Sequence, residues 1–240
     1  MRRILVDWLL DVCHFYRLQD ETFHLTVMCI DRFLAVRNMN KRLFQLLGTA
    51  CLLIAWKYQE RRSPSVDLLV ACTDHTYTRQ ELVQMEKIVL ITLSHRVARW
   101  ATSETFLQMI LKLESKQWLA NSATILTKLA LHDYNMCMKY PPSLQAACAV
   151  YIAKSIVTPY NIIEKPWSPS MELVSSVAFI EAFQCIQDLY CLLMQSFNSE
   201  TQTVWEYYGQ DSPLKQASTR VAQPILSYIN DMSYSIETSV

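Results

Sequence analysis

With 2 Gly among 240 residues and 51% hydrophobic side chains, the composition favours helices, because strand-rich domains use Gly in tight turns and helix interiors are weakened by it. The 22 basic and 22 acidic residues cancel, which leaves no basic excess to displace counterions from phosphate and argues against a dedicated nucleic-acid binder, a local patch apart. The length suits one large domain or two ordinary ones, and the expected class is all-α.

The first segment is apolar nearly all round: Ile4, Leu5, Val6, Trp8, Leu9 and Leu10, interrupted by Asp7. Such a helix is either buried on all sides or covered on one side by a partner. Met1, Leu5 and Trp8 fall at i, i+4 and i+7 with Ile4 adjacent, a stripe that by itself reads as ordinary core. Asp20 is a candidate N-cap for a helix from Glu21, within which Phe23, Val27, Ile30 and Leu34 share a face. Leu43, Leu47, Ala50 and Ile54 repeat that rhythm. The richest apolar run, Leu46 to Trp56, contains Gly48 and Thr49 and ends at Lys57, well short of the roughly 20 residues a bilayer needs. After a break near Arg61–Ser65, Thr78-Arg79-Gln80-Glu81 forms a capping-box pattern ahead of Leu82, Met85 and Val89.

A break at 94–102 separates a first set of helices from a second, and the domain boundary is placed there. Ser103 is a candidate N-cap for a helix from Glu104. Pro142 suits the first turn of a helix through Ala153, where its missing N–H costs nothing. Further breaks fall at 139–142, 158–169 and 209–213. Beyond Pro213 the chain turns polar and Ser/Thr-rich apart from Ile225–Ile229, a composition that points to partial disorder.

Catalytic signatures are missing. Two isolated glycines cannot build a phosphate-binding loop, and neither a nucleophile elbow nor the kinase H-R-D and D-F-G signatures occur. The histidines (14, 24, 75, 95 and 132) show no H-E-x-x-H spacing and no local pairing with Cys or carboxylate at metal-ligand spacing, so no metal or cofactor is expected. His24 and His132 read as satisfied or surface residues. The eight cysteines (13, 29, 51, 72, 137, 148, 185 and 191) form no C-x-x-C pair and read as small core residues in a reducing compartment. Together these features describe a helical protein that binds another protein and is not an enzyme.

The opening Met1-Arg2-Arg3-Ile4-Leu5-Val6-Asp7-Trp8-Leu9 resembles the M-R-x-I-L-x-D-W-L signature of mitotic, A/B-type cyclins. Agreement continues in family order through Leu18–Thr22, Ile30-Asp31-Arg32-Phe33-Leu34, Gln45–Ala50, Ala55-Trp56-Lys57-Tyr58-Gln59-Glu60, Tyr77-Thr78 and Met85-Glu86. The second half is similar more loosely, through Lys139-Tyr140-Pro141-Pro142-Ser143 with its Ala-rich helix, Trp167, and the helix of Cys185, Asp188 and Leu189. The resemblance implies two tandem five-helix cyclin folds: an N-terminal cyclin box over 1–93, a C-terminal fold over 102–208, and a tail over 209–240.

It also implies a role. Cyclins bind a cyclin-dependent kinase and hold its C-helix inward, aligning the kinase's own Lys–Glu pair and magnesium-binding aspartate. By this resemblance Lys57 and Glu86 match the charged residues that anchor the kinase, and Glu60 and His95 fall on the same surface. Met1, Ile4, Leu5 and Trp8, with Gln45, match a hydrophobic patch that docks Arg-x-Leu motifs of substrates and inhibitors. Asp11 and Asp74 are suited to receive the motif's basic residue. Arg2 and Asp31 fit a structural ion pair between the first two helices, and Gly48 a close helix–helix contact.

Some positions depart from the family pattern. Gln59 and Glu60 follow Lys57-Tyr58 where two acidic residues are usual, His95 stands where an aromatic is expected, and Trp100-Ala101-Thr102 replaces a common Pro-Thr. The helix that precedes the signature in the family, and any N-terminal degradation signal, fall outside these residues. The expected partners are therefore a cyclin-dependent kinase and Arg-x-Leu proteins, with neither nucleic acid nor membrane, in nucleus and/or cytoplasm. Two other readings stand beside this one. The first is a nucleic-acid-binding cyclin-fold protein of the general transcription factor IIB type; the second is a scaffold cyclin that binds a kinase without activating it.

Overall fold

A computed structural model describes residues 1–115, 119–157, 167–198, 203–209 and 212–214. Among the described residues there are twelve α-helices and no strand. They fall into two compact units, Met1–Thr105 with Leu131–Tyr134, and Phe106–Ala130 with Asn135 onward.

The first unit is built from α1 (Arg2–Phe15), α2 (Asp20–Val36), α3 (Phe44–Gln59), α4 (Val66–Cys72) and α5 (Arg79–Thr92). Helix α3 is its centre and packs on α1, α2, α4 and α5. Every residue from Leu46 to Trp56 is buried, which is why this run is apolar all round instead of striped. Each fully buried Leu there contributes about 1.5–3 kcal/mol. Leu43 is displaced from the expected stripe. It ends a short 3-10 turn (Lys41–Leu43) ahead of α3 and is exposed, because Asn40 caps that turn through its side-chain oxygen, 3.0 Å from the Arg42 amide.

Helix starts follow hydrogen bonding more closely than residue type. The capping box of α5 is complete: the Glu81 amide donates to Thr78 Oγ1 at 3.2 Å, and the Thr78 amide donates to Glu81 Oε2 at 2.8 Å. At α2 the cap is Gln19, not Asp20, and makes no side-chain cap bond. Its own amide donates instead to Glu60 Oε1 at 2.7 Å, a carboxylate lent by the end of α3. At α6 (Ser103–Glu114) the capping hydroxyl is that of Thr102, which accepts from the Thr105 amide at 3.2 Å; Ser103 is already helical.

Helix exits show an unusual chemistry. Arg17, Asp74, His75, Ser94, His95, Ser115 and Ser176 all stand at positive φ, between 50° and 57°, while neither glycine does. The left-handed geometry usually given to Gly is carried here by side-chain-bearing residues. Gly48 serves another purpose: a Cβ there would lie 2.8 Å from Leu5 Cδ1, so the missing side chain lets α1 approach α3.

The second unit holds the rest of α6, α7 (Ala120–His132) as far as Ala130, α8 (Tyr134–Lys139) from Asn135, α9 (Pro142–Val157), α10 (Pro169–Ser175), α11 (Phe179–Ser196) and α12 (Thr203–Tyr208). Helix α9 repeats the role of α3: it is buried throughout from Leu144 to Ala153 and packs on α10 and α11. The buried Gln145 donates through Nε2 to the Met136 and Tyr140 carbonyls at 3.1 and 2.9 Å, fixing α8 against α9. Tyr151, Trp167 and Phe179 form a ring cluster with centroids 5.5–6.2 Å apart. The tail beyond Pro213 lies almost wholly outside the described residues.

His24 and His132, read as satisfied or surface residues, are both buried, so the surface alternative is overturned. Helix packing around Phe23 encloses them, its ring 6.0 Å from His24 and 6.5 Å from His132. Five of the eight cysteines are buried, and Cys191 is exposed. No single described helix is long and apolar enough to cross a membrane.

Candidate protein-docking surfaces

Lys57 lies in the last turn of α3, immediately after the run that packs on α2 and α5, so its ammonium emerges where that burial ends. Glu86 follows Met85 of the α5 core stripe and is half-buried. Lys57 Nζ and Glu86 Oε1 are 2.6 Å apart. The pair is partly open, the Lys57 side chain being 40% exposed and that of Glu86 14%. On the same two helices Tyr58, at 60% exposure, follows Lys57, and Val83, at 43%, lies three residues before Glu86. Sequence reasoning passed over both, yet the signal existed, because Val83 falls off the Leu82–Met85–Val89 core period.

Glu60 is placed differently. Its Oε1 accepts from the Gln19 amide and from Thr22 Oγ1, each at 2.7 Å, so this oxygen is committed inside the chain. His95 sits beyond the end of α5 at φ 57°, exposed, with its amide donating to the Leu90 carbonyl at 2.8 Å.

A second surface lies on α1. Met1 and Ile4 are 62% and 65% exposed, Trp8 is half-buried, Asp11 is exposed, and Leu5 turns into the core. The stripe is therefore split: one edge packs and the other faces outward. Gln45, half-buried, is three residues before Gly48 and shares its face of α3, the face that meets Leu5. Asp74 is exposed on the turn after α4, and a Cys72 Sγ to Tyr16 Oη contact of 3.5 Å ties the end of α4 to the end of α1. That contact, with burial, pushes Tyr16 up to about 12.

The base of α1 is held by Arg2. Its Nε and Nη2 donate to Asp31 Oδ1 and Oδ2 at 3.2 and 2.7 Å, a bidentate fork, and Nη1 donates to the Leu131 carbonyl. Beside it Asp7 Oδ1 lies 3.4 Å from His132 Nε2, a contact not visible in the sequence because the two are far apart along the chain. Glu21 accepts from Thr102 and Thr105 at 2.7 and 3.1 Å, and burial raises its carboxyl above the usual range against those bonds.

In the second unit the stretches Lys139-Tyr140 and Cys185–Leu189 meet. Lys139 Nζ and Tyr140 Oη lie 2.9 and 2.5 Å from Asp188 Oδ2, and Gln184 Nε2 lies 2.9 Å from Asp188 Oδ1. Burial raises the Asp188 carboxyl, but these donors outweigh it and hold the group below its ordinary value. Among the described residues no cluster of His, Cys, Asp and Glu could hold a metal ion.

Two helical units, each built around one helix with a long buried central run, with charged and apolar side chains left open on the first, define the architecture of the cyclin type. Residues 1–98 match the cyclin N-terminal domain and residues 101–223 the cyclin C-terminal domain. The chain belongs to the cyclin family. It is 33% identical to cyclin-A3-3 of Arabidopsis thaliana over 215 residues, covering 87% of this chain and 64% of that protein. It is 36% identical to cyclin-A1-2 of Oryza sativa subsp. japonica over 216 residues, covering 88% and 44%. The chain thus spans about half to two thirds of the length of these relatives. In fold it is similar to a viral cyclin from herpesvirus saimiri, with a TM-score of 0.69 at 23% identity over 85% of this chain and 86% of that one. It is likewise similar to a chain of the yeast RNA Pol II CTD kinase CTDK-1 complex, with a TM-score of 0.65 at 16% identity over 82% and 66%.

Proposed function

We propose that this chain is a regulatory subunit that binds and activates a cyclin-dependent protein kinase in cell-cycle control and helps to recruit its substrates. The observation that carries the reading is membership of the cyclin family across both domains, with the Lys57–Glu86 pair open at the family's kinase-anchoring positions. The chain performs no chemistry itself. It binds the active arrangement of the kinase more tightly than the inactive one, and that difference sets how far the equilibrium moves. Lys57 and Glu86 offer a partner one cation and one carboxylate at fixed separation. Glu60 contributes by holding the start of α2 in place, and His95 extends the surface past α5. The outward edge of α1 (Met1, Ile4 and Trp8, with Leu5 beneath and Gln45 beside it) suits an Arg-x-Leu segment, whose apolar residue meets the stripe while Asp11 and Asp74 attract its cation. The complex works in nucleus and/or cytoplasm.

The test is a pulldown from the source cell followed by a kinase assay on the recovered complex. Recovery of an active protein kinase supports the reading. Recovery of an inactive kinase would leave a scaffold cyclin in its place, and salt-sensitive DNA binding without a kinase would favour the transcription-factor reading.

A further inference from the structure

The described chain contains Ser-Pro dipeptides at 63–64, 168–169 and 212–213, and the structure treats them very differently. Ser168 is the N-cap of α10, accepting from the Met171 amide at 3.3 Å and donating to Glu114, so its hydroxyl is engaged twice. Ser212 is buried, with 1% exposure. Ser63 is exposed, stands in the connection between α3 and α4, and makes no hydrogen bond among the described residues.

The backbone of residues 61–64 likewise makes no hydrogen bond among the described residues. The connection is already extended at both ends, Glu60 at φ −93°, ψ 150° and Ser65 at φ −75°, ψ 145°. A kinase takes its substrate as an extended strand, and here no ladder or cap need break to supply one. Pro64 fixes φ and removes an N–H, so the segment suits a kinase whose cleft beside the acceptor residue accepts a tertiary amide. Arg61 and Arg62, immediately before Ser63, are exposed and take part in no ion pair among the described residues.

We propose that Ser63 is a phosphoacceptor for a proline-directed protein kinase, and that Arg61 and Arg62 receive the phosphate it acquires. The step transfers the γ-phosphoryl group of ATP to Ser63 Oγ. The P–Oγ bond forms, the bond to the β-phosphate oxygen breaks, ADP leaves, and the hydroxyl proton passes to the kinase's catalytic carboxylate. The phosphate brings a charge of about −1.5 to −2 to a stretch, Lys57–Ser65, that holds three cations and one carboxylate, taking it close to neutrality. Guanidinium groups suit this capture through paired charge-assisted hydrogen bonds.

The experiment incubates the folded chain with magnesium-ATP and a mitogen-activated, proline-directed kinase that needs no cyclin, so its outcome is independent of whether this chain activates a kinase. Phosphopeptide mapping is expected to place phosphate on Ser63 near one mole per mole, with loss at that site in Ser63→Ala and with circular dichroism unchanged. Absence of phosphate from Ser63, whatever is modified elsewhere, overturns the proposal. A phosphorus NMR titration at low salt then compares the product with its Arg61→Gln/Arg62→Gln counterpart. The second phosphate ionisation is expected at lower pH in the parent, and equal midpoints would overturn the role given to the arginines.

Discussion

Lys57 Nζ and Glu86 Oε1, from α3 and α5, stand 2.6 Å apart, so two proposed kinase contacts are also each other's partner. Reversing either alone sets like charges together, and Lys57→Glu or Glu86→Lys is expected to lower stability by about 1 kcal/mol. Exchanging them in the double variant restores an ion pair of inverted polarity. Urea denaturation should show stability largely recovered, while kinase binding stays weakened at least tenfold. If the double variant regained binding along with stability, the pair would be scaffold and not contact.

Arg2 holds Asp31 through a fork in which both side chains are mostly buried, at 17% and 12% exposure. Arg2→Met leaves that carboxylate without its fork, and the expected loss is about 3 kcal/mol. Arg2→Lys should recover only part of it, because an ammonium cannot reproduce the bidentate geometry. Thermal melts of the three proteins decide this, and equal stability of the Lys variant and the parent would refute it.

Asp188 supplies a pH signature. Its folded carboxyl lies below the unfolded value of about 3.9, so the stabilisation is present above that value and is lost as pH falls through the lower folded one. Tyr140, pushed up to about 12 by burial and then by its bond to Asp188, acts in the opposite sense. Its stabilisation is complete below the unfolded value of about 10 and is lost as pH rises through 12. Urea midpoints between pH 2 and 5 should fall more steeply for the parent than for Asp188→Asn.

Trp8→Ala tests the edge of α1. Phosphorylation of substrates carrying an Arg-x-Leu motif should fall about tenfold while that of short peptides without the motif is spared. Equal loss on both would mean damage to the fold. Gly48→Ala offers a milder probe, since the new methyl meets the mobile end of Leu5 and a helix gains up to about 1 kcal/mol from the exchange. Stability should change little, while docking responds to the displaced Leu5.

The helical class and the capping box of α5 were readable because they depend on neighbours in sequence: Gly scarcity, the period of Leu82–Met85–Val89, and Thr78 with Glu81. What escaped depends on residues distant along the chain. Asp20 and Ser103 have the chemistry of caps, yet Glu60 supplies a carboxylate to Gln19 and Thr102 takes the capping role at α6. No local pattern distinguishes a buried His132 facing Asp7 from a surface histidine. The stripe on α1 was legible as apolar, but its division into a packed edge at Leu5 and an open edge at Met1 and Ile4 depends on how closely α3 approaches.

The seven left-handed residues, which stand at five helix exits, give the protein a handedness that chemistry can exploit. At φ near +55° an L-residue carries a penalty of about 1–2 kcal/mol, and its mirror-image counterpart does not. A semisynthetic chain with D-serine at 94 or 176 would retain each hydroxyl while removing that penalty, and it would resist proteolytic cleavage at the same bonds. Enantiomeric replacement therefore offers a way to strengthen this fold without touching its core or either docking surface.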